Sequence, residues 1–582
     1  MDRPAVDLNA LRARIVELKL ANERAVVAEL IDAAGRGLTS SRRAAALNQS
    51  RMLTSRCRDH AEASGTLDAF LKQFGLSNPE GVALMCLAEA LLRVPDDDTA
   101  DRLIAEKINS GDWAAYLGES DSLFVNGSVW GLMLTGRLVT LEPEAEGDPG
   151  SWVRQLVSRV GEPIVRSAVV QAMRILGRQY VLGRTMEEAL ARAAGPSDVG
   201  DLYSFDMLGE GARTWADAER YEAAYRDAIE AIGSAPAGAD PRTNHGISIK
   251  LSALHPRFEE SQRDGMLDTL TESLTSLARL ARSYELGFSI DAEEADRLEL
   301  TLDLFERLAR APELAGWAGL GFVLQAYQKR APAVAGWLIA LARDTGRTFM
   351  VRLVKGAYWD AEIKHAQELG LTDYPVYTRK PNSDLCYEVC AAQLLSAPDA
   401  IYPQFATHNA TTACQVLELG GDQDFELQRL HGMGELMFAE LDRETGQKRV
   451  PLRVYAPVGS HEDLLPYLVR RLLENGANSS FVNRFLDEQI PVDELVQDPL
   501  LKVREAADAR HSRIPKPMDL YLAAGEPRQN STGLDLTVPG LRQDLKARFA
   551  TLAAETFSAG DNSSAGGALP VRSPANNEHI VG

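Results

Sequence analysis

Between residues 200 and 460, eight short apolar runs alternate with amphipathic segments, and this alternation limits the fold more than any other feature. The segment that carries Ala295–Leu298–Leu302–Phe305–Leu308, for example, has helical spacing. Parallel strands separated by helices form a closed β/α barrel or an open, doubly wound sheet. No GxGxxG follows any run, which argues against the dinucleotide-binding form of the open sheet.

The sequence therefore predicts an α/β fold, a (β/α)8 TIM-like barrel. The predicted strands lie in LYSFDML (202–208), GISIKLS (246–252), GFSID (287–291), GFVLQAY (321–327), FMVRLVK (349–355), YPQFATH (402–408), ELQRLH (426–431) and LRVYAP (452–457).

The segments on either side of the barrel pattern differ from it. Before it, apolar residues recur at helical spacing, as in Leu8–Leu11–Ile15–Leu18. After residue 490 the periodicity weakens, and residues 557–576 have the Gly, Ser, Ala and Asn content of a linker. We expect a helical arm at 1–60, an all-helical α-domain at 61–190, the barrel at 191–485 and a linker-like segment from 486 to 582.

Charge and hydropathy limit the partners of the chain. The formal net charge of −21 argues against a nucleic-acid-binding surface, which needs clustered Lys and Arg. The N-terminus has no apolar signal core, and no apolar run approaches the roughly 20 residues that cross a bilayer. We expect a cytoplasmic protein with at most peripheral contact at the inner face of the cell membrane.

The five cysteines indicate free thiols in a reducing compartment rather than a metal site. None forms a CxxC pair. Cys386 and Cys390 are one helical turn apart, but no pair of histidines nearby completes a ligand set.

Polar residues lie at the ends of the apolar runs, where a barrel of this type carries its active site. Lys250, Asp291 and Arg352 are embedded in or adjoin strongly apolar strands. It is therefore a weak explanation that all three are merely solvent-exposed ends of strands. The residues that we expect around one mouth are Glu210, Lys250, Asp291, Gln325, Arg352, Lys355, His408, Leu430 and Tyr455.

The helical segment SHEDLLPYLVRRLLENGANSS follows the last run. Its apolar residues fill one half of a helical wheel, and Arg470 and Arg471 lie on the other half with Glu474. Two adjacent guanidinium groups can bind a carboxylate. A solvated helix face with an internal salt bridge explains the same pattern, and Pro466 predicts an irregular first turn.

Several motifs occur in an order that is specific to one family. They are GISIKLSALHPRF, SIDAEEADRLE, GFVLQAYQKR, VRLVKGAYWDAEIK, ATHNA, LQRLHGMGE, RVYAPVG and YLVRRLLENGANSSFVNR. Over residues 200–485 the chain closely resembles the proline dehydrogenase module of the proline utilization A family, bifunctional bacterial flavoenzymes. LPVRSPANNEHIVG resembles the opening of that family's aldehyde dehydrogenase module, and we expect this second module to be truncated here. We also expect the family's ribbon-helix-helix DNA-binding domain to be absent, and no nucleic acid to be bound.

The resemblance implies which residues form the sites. It implies FAD contacts at Gln325, Arg352, Val354, Lys355, Gly356, Ala357, Tyr358, Trp359, Thr378, His408 and Glu474, with Arg379, Lys380 and Thr407 as further candidates. It implies a proline pocket of Lys250, Asp291, Tyr455, Arg470 and Arg471, with an apolar wall of Ala357, Tyr358 and Leu430. Glu210 matches an acid that pairs with an arginine of the last helix and gates the pocket.

The resemblance also implies the reaction. The chain would oxidise L-proline to Δ1-pyrroline-5-carboxylate, the first step of proline catabolism to glutamate, by hydride transfer from proline C5 to flavin N5. Electrons would pass to a membrane quinone, and the oligomeric state stays open. Two other interpretations compete with this one: a flavin barrel of the methylenetetrahydrofolate reductase type, and a regulatory or scaffolding fragment without catalysis.

Overall fold

The centre of the molecule is a closed barrel of eight parallel strands in chain order, in which the last strand pairs with the first. The structure is a computed structural model that describes residues 7–60, 180–195, 201–235, 238–445, 450–459, 490–555 and 569–582. The strands are β1 (Leu202–Met207), β2 (Gly246–Ile249), β3 (Gly287–Ile290), β4 (Leu320–Gln325), β5 (Phe349–Val354), β6 (Ile401–Ala406), β7 (Glu426–Leu430) and β8 (Leu452–Val458). The predicted barrel is confirmed, and the open sheet is excluded.

Each predicted run overlaps one strand to within one residue at its start, and all strands except β8 end before their run does. In β2 and β3 the first residue beyond the strand is the polar one, Lys250 and Asp291 respectively. The chain thus leaves the hydrogen-bonded ladder where the apolar sequence ends. Because all strands are parallel, these polar residues lie at the same carboxyl end of the barrel.

The N-terminal segment forms the predicted helical arm: α1 (Leu8–Leu18), α2 (Glu23–Gly37) and α3 (Ser40–Asp59). Each helix follows a residue whose side-chain oxygen accepts backbone N–H groups of the first turn, namely Asp7, Asn22 and Thr39. The predicted α-domain lies largely outside the described residues, and α4 (Met186–Ala193) crosses its predicted boundary with the barrel at residue 190.

Helices that follow the strands cover the outside of the barrel. They are α5 (Trp215–Ser234), α6 (Arg263–Ser283), α7 (Leu298–Arg310), α8 (Ala331–Thr345), α9 (Trp359–Glu368), α10 (Lys380–Leu395), α11 (Ala410–Gly420) and α12 (Glu435–Thr445). The ring of Phe305 in α7 packs edge-on against Phe322 and Phe349, with centroids 5.2 and 4.9 Å apart. The arm packs on this outer layer, with α1 against α8, α2 against α10 and α3 against α11.

The C-terminal segment contains short helices and a hairpin. Its elements are α13 (Val492–Leu495), α14 (Pro499–Glu505), α15 (Leu520–Ala523), α16 (Pro539–Ala553), β9 (Arg572–Ser573) and the antiparallel β10 (Asn576–Ile580). Helix α14 packs on α10 and α2. Buried Arg43 of the arm bridges Glu388 of α10 and Asp498, so the arm, the barrel and the start of this segment are joined.

The cysteines of the described residues, Cys57, Cys386, Cys390 and Cys414, are buried. Within the part of the chain that the structure describes, every helix is too short or too polar to cross a bilayer.

Candidate active site

Four of the predicted site residues meet inside the mouth of the barrel. The Nζ atom of Lys250 lies 3.4 Å from Asp291 Oδ2 and 3.4 Å from the Tyr455 hydroxyl. Tyr455 donates a hydrogen bond of 2.8 Å to Asp291 Oδ2, and Arg352 donates one of 3.1 Å to Asp291 Oδ1. Asp291, which follows β3, therefore joins residues that follow or belong to three other strands, β2, β5 and β8.

The barrel interior accommodates the Arg352 side chain because small and polar residues face it. Its guanidinium group donates to Ser204 Oγ of β1 at 2.7 Å, to Ser248 Oγ of β2 at 3.0 Å and to Gln428 Oε1 of β7 at 2.7 Å. It also lies 5.1 Å from the centre of the Tyr455 ring. Four hydrogen-bond partners fix this buried cation in position, as a buried charge requires.

One residue of this network was not predicted. Asp206 in β1 is fully buried, and its Oδ1 atom lies 2.6 Å from Lys250 Nζ, the shortest contact of that ammonium group. The signal was present in the sequence, since Asp206 interrupts the apolar run LYSFDML in the same way that Arg352 interrupts FMVRLVK. We call Asp206, Lys250, Asp291, Arg352 and Tyr455 the barrel network.

The barrel network keeps Lys250 charged. Burial alone would lower the pKa of its ammonium group, but Asp206, Tyr455 and Asp291 together raise this pKa well above the usual value for lysine. Burial and the neighbouring carboxylates also raise the pKa of the Tyr455 hydroxyl well above its ordinary value. The mouth of the barrel thus presents a fixed ammonium and a neutral phenol.

An apolar surface adjoins this polar network. Leu430 and Tyr455 pack against a buried cluster formed by Tyr180, Val181, Leu208 and Met433. The backbone N–H of Leu430 donates to His408 Nε2 at 3.0 Å, which ties the predicted flavin residue His408 to the predicted apolar wall.

The loop after β5 carries several predicted flavin residues at the barrel mouth. Val354 ends the strand, and Gly356 has a φ of +128°, which favours glycine. A Cβ atom added to Gly356 would lie 2.4 Å from the Tyr327 ring, so the ring packs directly on this backbone. Ala357 is exposed, and Tyr358 and Trp359 are half-buried.

Two predicted cations share one carboxylate at the start of α10. Lys355 Nζ lies 2.5 Å from Asp384 Oδ1, and Lys380 Nζ lies 3.0 Å from Asp384 Oδ2. Burial lowers the pKa of the Lys355 ammonium, although Asp384 opposes this. Burial would raise the pKa of Asp384, but the two lysines outweigh it and hold that pKa well below its usual range.

Thr378 contacts the arm, which the sequence did not predict. Glu23 in the first turn of α2 is buried, and its carboxylate accepts 2.8 Å hydrogen bonds from the backbone N–H and the hydroxyl of Thr378. It accepts a third, at 2.9 Å, from Asn382 Nδ2. We call Glu23, Thr378 and Asn382 the arm contact. Burial raises the pKa of Glu23 despite these donors.

The other described candidates lie near the same rim. Gln325 at the end of β4 accepts a 2.7 Å hydrogen bond from Gln328 and donates to the Glu293 carbonyl oxygen at 3.3 Å. Thr407 is buried just after β6, and Glu210 is half-buried after β1. Arg379 donates to the carbonyl oxygen of Asp508, a C-terminal residue, at 2.9 Å. Arg470, Arg471, Glu474 and Pro466 lie outside the described residues.

The described donor set has the chemistry that FAD needs. Arg352 is a permanent cation for a flavin that becomes anionic on reduction, and Lys355 and Lys380 are cations for a diphosphate. Trp359 and Tyr358 offer half-buried aromatic surface in the same loop. Among the described residues no group of His, Cys, Asp and Glu side chains could hold a metal ion. The residues therefore fit a flavin cofactor.

Two family models match the chain. The one described as "Proline dehydrogenase" matches residues 189–484, and the one described as "DNA-binding domain of Proline dehydrogenase" matches residues 66–180. The second match bears on our expectation that no nucleic acid is bound, which therefore stays a prediction.

Similar proteins extend over most of the chain. "Bifunctional protein PutA" of Escherichia coli K12 is 49% identical over 549 residues, which are 91% of this chain and 41% of that protein. The protein of the same name from Rhizobium meliloti is 46% identical over 552 residues, 93% of this chain and 44% of that protein. The solved "Structure of proline utilization A (PutA) with proline bound in remote sites" is 45% identical with a TM-score of 0.71, and the match covers 93% of this chain and 53% of that one. The chain thus spans less than half the length of these two bifunctional relatives.

Proposed function

This chain belongs to the proline dehydrogenase family, and from that premise we propose that it oxidises L-proline to Δ1-pyrroline-5-carboxylate with FAD as the oxidant. The reaction would be the first step of proline catabolism to glutamate. The observation that carries the proposal is the barrel network, in which Asp291 links Lys250, Arg352 and Tyr455.

The network supports binding of a small carboxylate with an apolar ring. Lys250, held as a cation, would bind the proline carboxylate together with Arg470 and Arg471 of the sequence that follows β8. A carboxylate taken out of water needs such matched cations. Leu430, Ala357, Tyr358 and the Tyr455 ring would pack on the apolar pyrrolidine ring, and Glu210 would gate the pocket by pairing with an arginine.

The cofactor would be held by residues around the same mouth. Bound FAD would accept a hydride from proline C5 at its N5 atom. Arg352, fixed by four partners, would stabilise negative charge on the reduced ring without reorganisation. The residues that we propose as further FAD contacts are Gln325, Val354, Lys355, Gly356, Ala357, Tyr358, Trp359, Thr378, Arg379, Lys380, Thr407, His408 and Glu474.

Partners and domain limits form part of the proposal. We propose a membrane quinone as electron acceptor, reached by peripheral contact from the cytoplasm. We further propose an arm at 1–60, an α-domain at 61–190 and the catalytic barrel at 191–485, with residues 486–582 starting a second module.

We propose that residues 66–180 do not bind nucleic acid, despite the description of the matching model. Asp and Glu outnumber Lys and Arg in this segment, and phosphate binding needs the opposite balance. Salt-dependent retention of duplex DNA by the purified chain would contradict this.

The function is tested by mixing the purified, FAD-loaded chain with L-proline in the absence of oxygen. We expect the flavin absorption to bleach with L-proline, and pyrroline-5-carboxylate to form in an amount equal to the reduced flavin. D-proline and 5-methyltetrahydrofolate serve as controls. Bleaching by the folate instead of proline would favour the reductase-type barrel, and a chain that binds no flavin would favour a non-catalytic role.

A further inference from the structure

We propose that Asp206 is a positioning residue, which keeps the Lys250 ammonium charged and in place to bind the substrate carboxylate at the alkaline pH where the substrate amine is neutral. This inference rests on the proposed function. It assigns a role to a residue that lies beneath the predicted pocket.

Asp206 is built into the barrel wall rather than placed on a loop. In β1 it pairs in register with Ser248 of β2 and Pro457 of β8. Its Oδ1 atom lies 2.6 Å from Lys250 Nζ, whereas Asp291 Oδ2 lies 3.4 Å from the same atom. Asp206 is thus the nearest anion to Lys250, and the strand pairing fixes its backbone.

The two carboxylates beside Lys250 are not equivalent. Asp291 also accepts hydrogen bonds from Tyr455 and Arg352, so its negative charge is shared among three donors. Asp206 has no other ion-pair partner among the described residues, and its Oδ2 atom has no hydrogen-bond partner there. Lys250 is therefore the cation that its charge faces, with the Tyr455 hydroxyl as a neutral neighbour; burial raises the pKa of Asp206, and Lys250 opposes this.

The reaction needs a neutral substrate amine and a charged Lys250 at the same pH. When a hydride leaves C5, the nitrogen lone pair forms the new C=N bond, so the amine must already have lost its extra proton to solvent. The neutral amine becomes more abundant as pH rises, but burial lowers the pKa of Lys250 and would remove its charge under the same conditions. Asp206 opposes that loss most strongly among the surrounding groups.

The groups around Lys250 come from several elements. The Tyr225 hydroxyl of α5 accepts the backbone N–H of Lys250 at 3.1 Å and fixes the main chain. The other titratable or charged groups that face the ammonium or its partners are Asp206 in β1, Asp291 after β3, Arg352 in β5 and Tyr455 in β8. With Asp206 removed, Asp291 still has Arg352 and Tyr455 to bind, and the pKa of Lys250 loses the largest contribution that opposes burial.

The test is the pH dependence of binding of cyclopentanecarboxylate, a ring carboxylate without an amine, to the FAD-loaded chain by calorimetry. For the unchanged chain we expect Kd to differ by less than about twofold between about pH 7 and about pH 10. For Asp206→Asn we expect Kd to rise on the order of tenfold over the same interval, because a neutral lysine no longer binds the carboxylate. A pH-independent Kd in the variant would overturn the proposal.

The control is Lys250→Met, alone and combined with Asp206→Asn. Both should bind the probe weakly and without an alkaline loss of affinity. If the double variant keeps the alkaline loss, another group such as Tyr455 titrates, and the proposal fails. If Asp206→Asn does not fold, the Kd of the unchanged chain for the probe tests the proposal. A tenfold loss of affinity in that chain by about pH 10 would contradict it. A chain that does not bind the probe at any pH instead contradicts the proposed function.

Discussion

The barrel network and the arm contact are both buried polar clusters near one mouth, but they are assembled in different ways. The barrel network is formed by residues that belong to or directly follow β1, β2, β3, β5 and β8, so the order of the strands in the barrel sets which of them are neighbours. The arm contact is formed by Glu23, which lies 355 positions before Thr378 in the chain. The barrel carboxylates accept hydrogen bonds from the cations Lys250 and Arg352, whereas the hydrogen-bond donors to Glu23 are neutral. The two clusters should therefore differ in how removal of one member affects stability and flavin binding.

Removal of Arg352 should have the largest effect, because it leaves Asp291 without its guanidinium partner in the barrel interior. For Arg352→Met we expect a loss of about 3–5 kcal/mol in the free energy of unfolding, measured by urea denaturation, and loss of proline-dependent flavin reduction. The control is Arg343→Met, whose pair with Asp399 is exposed and should contribute less than about 1 kcal/mol. Equal losses in the two variants would contradict the role given to the barrel network.

Glu362 extends the comparison to another buried carboxylate with neutral donors. It accepts a 2.7 Å hydrogen bond from the Ala295 N–H, and burial raises its pKa to about 7. An unfolded glutamate titrates near pH 4.3, so the folded chain holds more protons between the two values and becomes less stable as pH rises through about 4 to about 7.

In the unchanged chain, titration of Glu362 should lower the free energy of unfolding by up to roughly 3 kcal/mol between about pH 4 and about pH 8, and Glu362→Gln should remove this decrease. Chemical denaturation at several pH values measures it. An identical slope in the variant and the unchanged chain would show that Glu362 does not titrate in this range.

Removal of the arm carboxylate should cost less than removal of Arg352. Glu23→Ala leaves the Thr378 N–H, the Thr378 hydroxyl and Asn382 without their acceptor, for which we expect about 1–3 kcal/mol. Because Thr378 is a proposed FAD contact, we also expect FAD to dissociate faster, which flavin fluorescence measures. The matched control is Glu29→Ala in the same helix, whose side chain is 64% exposed. If FAD dissociated from Glu23→Ala at the same rate as from the unchanged chain, the arm contact would not contribute to FAD binding.

Tyr455→Phe should have the smallest effect of the four. It removes the 2.8 Å hydrogen bond to Asp291 but keeps the ring, so we expect about 1 kcal/mol or less in the free energy of unfolding. Because the ring would still occlude the space beside the substrate, trans-4-hydroxyproline should remain a poor substrate in steady-state assays. If Tyr455→Phe turned over trans-4-hydroxyproline as fast as the unchanged chain turns over proline, the proposed position of the Tyr455 ring beside the substrate would be contradicted.

Sequence predicts the barrel network better than the arm contact for a physical reason. Alternation of strands and helices fixes the order of parallel strands, so a polar residue within or just after an apolar run, such as Lys250 or Arg352, must face a neighbour near the mouth. Asp206 carries the same signal within LYSFDML, a run that lies outside the family motifs. Glu23 gave none, since an acidic residue in the first turn of a helix is explained by the helix dipole alone, and its partner depends on how the arm packs.

The most direct measurement is the rate of flavin reduction by isotopically labelled L-proline, followed anaerobically by stopped-flow absorption. If the barrel network places C5 for hydride transfer, proline deuterated at C5 should reduce the flavin several-fold more slowly than unlabelled proline, and proline deuterated at C2 should react at the unlabelled rate. Slower reduction with the C2-deuterated substrate, or no reduction by proline at all, would contradict the proposed reaction.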